Sequence, residues 1–330
     1  MAFQDISGNL RVKKILKKAL QKGRIPNSLL FSGPEGVGKR DMALVLAKAL
    51  NCKQMEDDAC EVCLSCKAIS RRNFPDVMSI SPEGNVIKIE QIRLLKKTAY
   101  LKPMVGKKRV FIVTEAEKMT DEAANSFLKI LEEPPSFTHI ILVTCNPYLI
   151  LPTIKSRCQI LNFSLVSREE MEKILTEKGY EKEQAKLIPL LVRGNLEQAL
   201  NIEWKEVQNK RKLAWELFLS FLKKKEVSDF VRNYTSSKKS FIKEELEEIL
   251  EFFSSFCRDF ILVKEKGDFS CLLNPDFRVE IQEEEKLLSS GCLVECLRQI
   301  DFTLSALSKN LNVNLLVSSF FSNFMEGEYV

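Results

Sequence analysis

The stretch that most constrains what this chain can fold into is residues 28–39, Ser28-Leu29-Leu30-Phe31-Ser32-Gly33-Pro34-Glu35-Gly36-Val37-Gly38-Lys39. A short apolar run reads as a buried strand. A glycine-rich turn follows, and then a helical pattern through Met42, Ala43, Leu46, Ala47 and Leu50. The turn has the form G-x-x-x-x-G-K in a strand–turn–helix context, the setting of a phosphate-binding loop. Its glycines let consecutive backbone N–H groups turn toward phosphate oxygens, and the helix N-terminus adds positive partial charge. Gly33, Gly36, Gly38 and Lys39 are therefore the candidate nucleotide-binding residues. Further strand-like runs fall at Val77–Ile80, Arg109–Val113 and His139–Val143, with helical stretches at Ile89–Lys97 and Asp121–Glu132 between them. Short apolar strands alternating with helices predict a parallel sheet covered on both faces, over roughly residues 1–165.

The loop lacks its metal supports. A working phosphate loop follows its lysine with Ser or Thr, whose hydroxyl binds Mg²⁺, and here that residue is Arg40. A guanidinium carries only donors and cannot coordinate a cation. The second support is an Asp at the end of a later strand. In Val110-Phe111-Ile112-Val113-Thr114-Glu115 that place belongs to Thr114, leaving Glu115 as a candidate water-orienting carboxylate. Without the metal that neutralises charge on the β- and γ-oxygens, phosphoryl transfer is crippled. The expectation is a phosphate-loop domain without its own ATPase activity, with passive ATP binding left open.

Ten cysteines in 330 residues need an account, and four of them supply it. Cys52, Cys60, Cys63 and Cys66 follow directly on the predicted phosphate-loop helix. Two tight x₂ spacings let the chain curl round one tetrahedral ion, and soft thiolates suit Zn²⁺. The reading is a structural zinc site with no open coordination position; a disulfide pair or an iron–sulfur cluster are the alternatives. The other six cysteines read as reduced residues among apolar neighbours, and His139 and Cys145 as core packing. The N-terminal residues lack a signal-peptide pattern and no apolar run reaches the ~18–20 residues of a membrane span, so the expected setting is the cytoplasm. A hydrophobic share of 45% argues against wholesale disorder, and a net charge of +5 is too mild to argue nucleic-acid binding by itself. The lysines at 13, 14, 17, 18 and 22 with Arg24 read first as a solvated helix face, and second as a track for DNA phosphates.

From Ser167 the strand signal stops. Ser167-Arg168-Glu169-Glu170 is a capping box opening a helix, and Gly194-Asn195 marks a turn between further helices. Beyond about 205, apolar residues such as Leu246, Ile249, Leu250, Phe253, Phe256 and Phe260 recur mostly at helical steps. The run Lys223-Lys224-Lys225-Glu226 reads as a solvated helix end.

Several elements in order carry a family resemblance. They are the phosphate loop, the four cysteines, Phe74-Pro75-Asp76, Ile89-x-Gln91-Ile92-Arg93, Asp121 through Leu128-Lys129-Ile130-Leu131-Glu132-Glu133-Pro134-Pro135, and Ser156-Arg157-Cys158. With these the chain resembles the delta-prime subunits of bacterial DNA polymerase III clamp loaders, which are AAA+ proteins. The resemblance is strong to about 165 and fair to about 205; beyond, only Leu311-Asn312-Val313-Asn314 is similar. It implies an α/β AAA+ domain over 1–165 with the zinc insert at 52–66, a helical lid over 166–205, and an all-α collar over 206–330. It implies a heteropentameric ring with gamma or tau and delta subunits, acting on a sliding clamp and primed DNA. Arg157 falls where such rings carry an arginine finger, which reaches the γ-phosphate of ATP on the neighbouring subunit; on spacing alone it would read as a surface arginine. Active relatives carry an arginine where Gly194-Asn195-Leu196-Glu197 has Glu197. Thr144 and Asn146 are candidate polar sensors. The resemblance thus favours an accessory subunit over the alternative, an autonomous gamma/tau-type motor.

Overall fold

The computed structural model describes residues 1–192, 194–222, 243–267, 269, 271–284, 289–308, 315–316 and 319–320. The runs at 223–226 and 311–314 lie outside the described residues. Cα packing divides the chain into two compact units, Met1–Ala185 with Val192–Asn201, and Lys186–Leu191 with Ile202–Val330.

The first unit is built on a five-stranded sheet. Its strands are β1 (Ser28–Ser32), β2 (Val77–Ile80), β3 (Arg109–Val113), β4 (Thr138–Thr144) and β5 (Gln159–Asn162). Every pairing is parallel, and the order is β2-β3-β4-β1-β5. All residues of β1, β3 and β4 are buried, so these strands read as unbroken apolar runs. The pleat sends alternate residues to opposite faces. Leu29, Phe31, Val110, Ile112, Ile141 and Val143 pack with α1 (Leu10–Gln21) and α2 (Lys39–Asn51). Leu30, Phe111, Val113, Ile140 and Leu142 pack with α4 (Ile89–Ala99) and α5 (Asp121–Glu132) on the other face.

The strand β5 has no strand signal in the sequence. It has four residues at the sheet edge, of which only Leu161 is buried, and so carries neither an apolar run nor a clean alternation. The helix α5 matches its expected bounds because both ends are marked chemically. The Thr120 hydroxyl accepts from the Ala123 N–H at 3.3 Å, and Pro134-Pro135 cannot continue a helix. Likewise the Ser167 hydroxyl caps α7 (Arg168–Glu177) by accepting from the Glu170 N–H at 3.2 Å. Four further helices are α3 (Leu64–Ser70), α6 (Pro152–Lys155), α8 (Lys182–Leu191) and α9 (Leu196–Asn201).

The second unit is helical, with long helices at Trp204–Leu222, Lys243–Lys266 and Ser290–Ser308. Trp215, Phe218, Phe253, Phe256 and Phe260 are buried in one cluster, with Trp215 and Phe256 edge to face at 5.0 Å. The Arg211 guanidinium is buried beneath it, donating to Asp276 at 2.8 and 2.9 Å and to the Asn274 side-chain oxygen at 2.9 Å.

Candidate functional site

The phosphate loop leaves the carboxyl end of β1 and opens α2, as its sequence requires. Gly36 and Gly38 have φ of 70° and 79°, a left-handed conformation that lets the loop turn back on itself. Lys39 lies inside this turn rather than reaching outward. It is 5% exposed, and its ammonium donates to the Gly33 carbonyl at 2.6 Å and to the Pro34 carbonyl, with the Cys145 sulfur at 3.6 Å. A cavity of about 230 Å³ over the loop is lined by Lys39, Arg40, Thr114, Glu115, Cys145 and Glu197 among others. The fold therefore gathers into one place the three altered positions Arg40, Thr114 and Glu197, which lie far apart in sequence.

Arg40 brings only donors to this cavity and cannot ligate a cation. The Thr114 hydroxyl donates to the Ile80 carbonyl at 3.2 Å, across to the neighbouring strand. Glu115 sits at φ 52° and pairs with Lys118 at 2.6 Å. Glu197 belongs to the first turn of α9, whose entry is seated on the loop: the Glu197 N–H donates to the Gly36 carbonyl at 3.2 Å. A Cβ at Gly36 would collide with the Asn195 side chain, which makes glycine necessary there for close approach as well as for φ. The Asn195 side-chain oxygen accepts from the Gln198 N–H at 3.0 Å and so caps α9.

Cys145 corrects the sequence reading. It is exposed, with its N–H on the Glu117 carboxylate at 3.2 Å, and it borders the cavity instead of the core. It lies one residue past β4, where the chain has left the sheet. Thr144 is fully buried and its hydroxyl accepts from the Asn146 N–H at 3.0 Å. His139 is buried against the Pro26 carbonyl at 3.1 Å, and burial drives its imidazole down to about 4.

The four cysteines of the insert converge. The sulfurs of Cys52, Cys60, Cys63 and Cys66 all lie within 4.8 Å of one another, with Cys60 and Cys66 at 4.0 Å. A tetrahedral ion with metal–sulfur bonds of about 2.3 Å requires sulfurs about 3.8 Å apart, so the set fits a closed four-thiolate site. Backbone N–H groups of Met55, Cys63 and Cys66 point at the sulfurs of Cys52, Cys60 and Cys63 at 3.3, 3.3 and 3.4 Å. Burial alone would raise the Cys63 thiol, but N–H donors from Lys53 and Cys66 and the adjoining thiols hold it down to about 6. Crowding and burial instead push Cys66 upward. A cation that binds such a set displaces the remaining thiol protons to water. The insert is fastened to the rest of the unit through Asp58, which accepts from the Phe3 N–H at 2.9 Å and pairs with Lys17 at 2.9 Å. Lys13 likewise donates to the Ile6 carbonyl at 2.6 Å, so two of the N-terminal lysines are engaged within the chain.

Arg157 stands at the opposite end of the sheet from the phosphate loop. Register pairs Leu29 with Gln159, which puts Arg157 at the amino ends of the strands, while the loop leaves Ser32 at the carboxyl ends. At about 3.3 Å per residue, roughly 16 Å of strand separates the two levels. The neighbouring residues have separate tasks. The Ser156 hydroxyl donates to the Thr153 carbonyl at 3.0 Å, and Cys158 packs against the core with its thiol driven up to about 12 by burial.

A feature without an assigned role in the sequence is Asp76. Its carboxylate is fully buried and accepts from the backbone N–H groups of Met104, Val105 and Gly106 at 2.7–3.0 Å and from Arg109 at 2.9 Å. It fixes the loop between α4 and β3 to the end of the sheet. The Phe74-Pro75-Asp76 string could have suggested it, because an acid set between a Phe-Pro pair and an apolar strand run needs a partner once it is buried.

Residues 8–167 match the family described as DNA polymerase III, delta subunit. The chain matches that family over 160 of its 330 residues. It is 36% identical over 192 residues to DNA polymerase III subunit delta' of Bacillus subtilis, covering 58% of this chain and 58% of that protein. It is 32% identical over 207 residues to the tau subunit of the same organism, covering 61% of this chain and 37% of the relative. The chain thus spans 58% and 37% of the lengths of these two relatives. Among solved structures, a gamma-subunit-related protein of Thermotoga maritima aligns over 95% of this chain and 98% of its own, at a TM-score of 0.44 and 22% identity.

Proposed function

We propose that this chain is a delta-prime-type accessory subunit of the DNA polymerase III clamp loader. It turns over no ATP itself and lends Arg157 to ATP held by a neighbouring gamma or tau subunit. Residues 1–165 act as the AAA+ domain, 166–205 as the lid over the phosphate loop, and 206–330 as the collar that joins the ring. The insert at 52–66 holds a structural Zn²⁺. Delta and gamma or tau subunits complete a heteropentameric ring that works on a sliding clamp and primed DNA. No helix among the described residues is long and apolar enough to cross a membrane; a cytoplasmic location belongs to the proposal.

The observation that carries this reading is the division of labour across the sheet. At its carboxyl ends a phosphate loop keeps Lys39 but has Arg40 and Thr114 in place of both metal supports. At its amino ends an arginine fork is displayed where it cannot meet a phosphate on that loop. A planar, permanently charged donor set of this kind suits the charge that develops on a transferring phosphoryl group.

Reconstitution with the ATPase subunits, delta, clamp and primed DNA tests it. Losing a finger costs on the order of 10³ at the site it serves. Arg157→Ala should therefore lower stimulated turnover several-fold while ring assembly persists on size exclusion, and an unchanged rate removes the assignment. The tau match keeps the motor reading alive, and one assay separates the two. Sustained Mg-ATP turnover by the isolated chain, abolished by Lys39→Ala, would make it a motor.

A further inference from the structure

Arg157 does not hang free at the subunit edge; groups of its own chain hold it. Its Nε–H and one Nη2–H both donate to Glu132 Oε1, at 3.0 and 2.6 Å. Its Nη1 donates to the Thr153 carbonyl at 2.9 Å and to the Ser156 hydroxyl at 3.3 Å. A guanidinium has five N–H groups. These contacts occupy both Nη1 positions and the edge formed by Nε and Nη2, which leaves one Nη2–H pointing outward.

We propose that Glu132 is a positioning residue for Arg157, setting the direction in which its remaining Nη2–H meets a phosphate on the adjoining subunit. The assignment rests on the finger reading of Arg157 and goes beyond it by naming the group that aims the finger. Glu132 is suited to this by its own anchorage. It is the last residue of α5, whose Phe127, Ile130 and Leu131 are buried against the sheet, and Pro134-Pro135 ends the helix immediately after it. The carboxylate is thus carried on a rigid element and not on a loop. Both partners are partly solvated, at 34% and 49% side-chain exposure, and an ion pair this open contributes little to folding. What it supplies is direction: a long side chain with several rotatable bonds is restricted to one orientation before the neighbouring subunit arrives.

The test uses the full chain in the reconstituted complex, with Glu132→Ala, Glu132→Gln, Arg157→Ala and the double variant Glu132→Ala/Arg157→Ala. Misplacing a reacting group by about 1 Å costs on the order of 100-fold at the site it serves, so Glu132→Ala should cost most of what Arg157→Ala costs, several-fold in stimulated kcat, with KM for ATP held or lowered. Glu132→Gln keeps an acceptor oxygen and should retain most of kcat, which a role resting on charge alone would not allow. In the Arg157→Ala background Glu132→Ala should have no further effect. The assignment is overturned if Glu132→Ala leaves kcat within about twofold while Arg157→Ala lowers it. It is equally overturned if both Glu132 variants raise kcat, because the carboxylate would then be a latch that restrains the arginine. If Arg157→Ala itself changes nothing, the finger reading fails and this assignment falls with it.

Discussion

Replacing Asp76 by Asn changes one atom of a fully buried side chain and should destabilise the first unit severely. Oδ1 accepts from the Met104 N–H at 2.8 Å and from Arg109 at 2.9 Å. Oδ2 accepts from Met104, Val105 and Gly106 at 3.0, 2.8 and 2.7 Å. Whichever way the amide is turned, its NH₂ faces donors, and the Arg109 guanidinium, itself buried, loses its counter-charge. Breaking a buried pair from one side costs about 3–5 kcal/mol. For a unit of roughly 150–250 residues this corresponds to a fall of about 6–20 °C in Tm. Urea unfolding followed by circular dichroism, with hydrogen exchange read in peptides covering β1 and β3, measures it.

The pH dependence gives a second readout of the same side chain. Burial alone would raise the Asp76 carboxyl, but the three backbone N–H groups and Arg109 overcome burial and hold it below its ordinary value. A depressed carboxyl stabilises the fold above its unfolded value of about 3.9 and loses that contribution as pH falls through the lower folded value. The gap between wild type and Asp76→Asn should therefore be widest above about pH 5 and narrow below about pH 4. A deficit under about 1 kcal/mol, or one that is unchanged at pH 3, would refute the argument.

Two further outcomes are expected. Cys63→Ser should release one bound metal ion per chain and make the backbone of 52–66 exchange rapidly; carefully reduced wild-type protein that contains no metal would sink the four-thiolate site. Burial holds the His139 imidazole at about 4, below its ordinary 6.5, so its contribution to stability is intact above about pH 6.5 and is lost as pH falls toward 4. His139→Phe should flatten that part of the stability profile in urea midpoints taken at pH 7 and pH 5, and parallel profiles would exclude the effect.

Much of the first unit was legible because its signals are local. Leu29, Leu30 and Phe31 read as a strand because both faces of β1 are buried, which makes the run continuous. The ends of α5 carry a hydroxyl cap and a proline stop that act within a few residues. By contrast, β5 earns its place only by pairing with β1, and its exposed Gln159 and Asn162 say nothing of that. Cys145 follows a buried, largely apolar strand in sequence, yet lies where β4 has already ended. The contacts of Lys39 with the Gly33 and Pro34 carbonyls of its own turn depend on how that turn closes, which no spacing in the sequence announces.

What the amino-acid order alone determined are the features with short-range causes. The glycine spacing permits left-handed turns, the cysteine spacing permits one ion to gather four sulfurs, and the hydrophobic period separates strand from helix. Tertiary structure decided where these pieces stand relative to one another. Only the parallel pairing of β5 with β1 sets Arg157 and the phosphate loop at opposite ends of one sheet. Only packing seats Asn195 on Gly36 and Glu132 on Arg157. The reason is that a side chain's periodicity fixes which face it buries, whereas its partner across that face is chosen by the whole set of surfaces that must be covered at once.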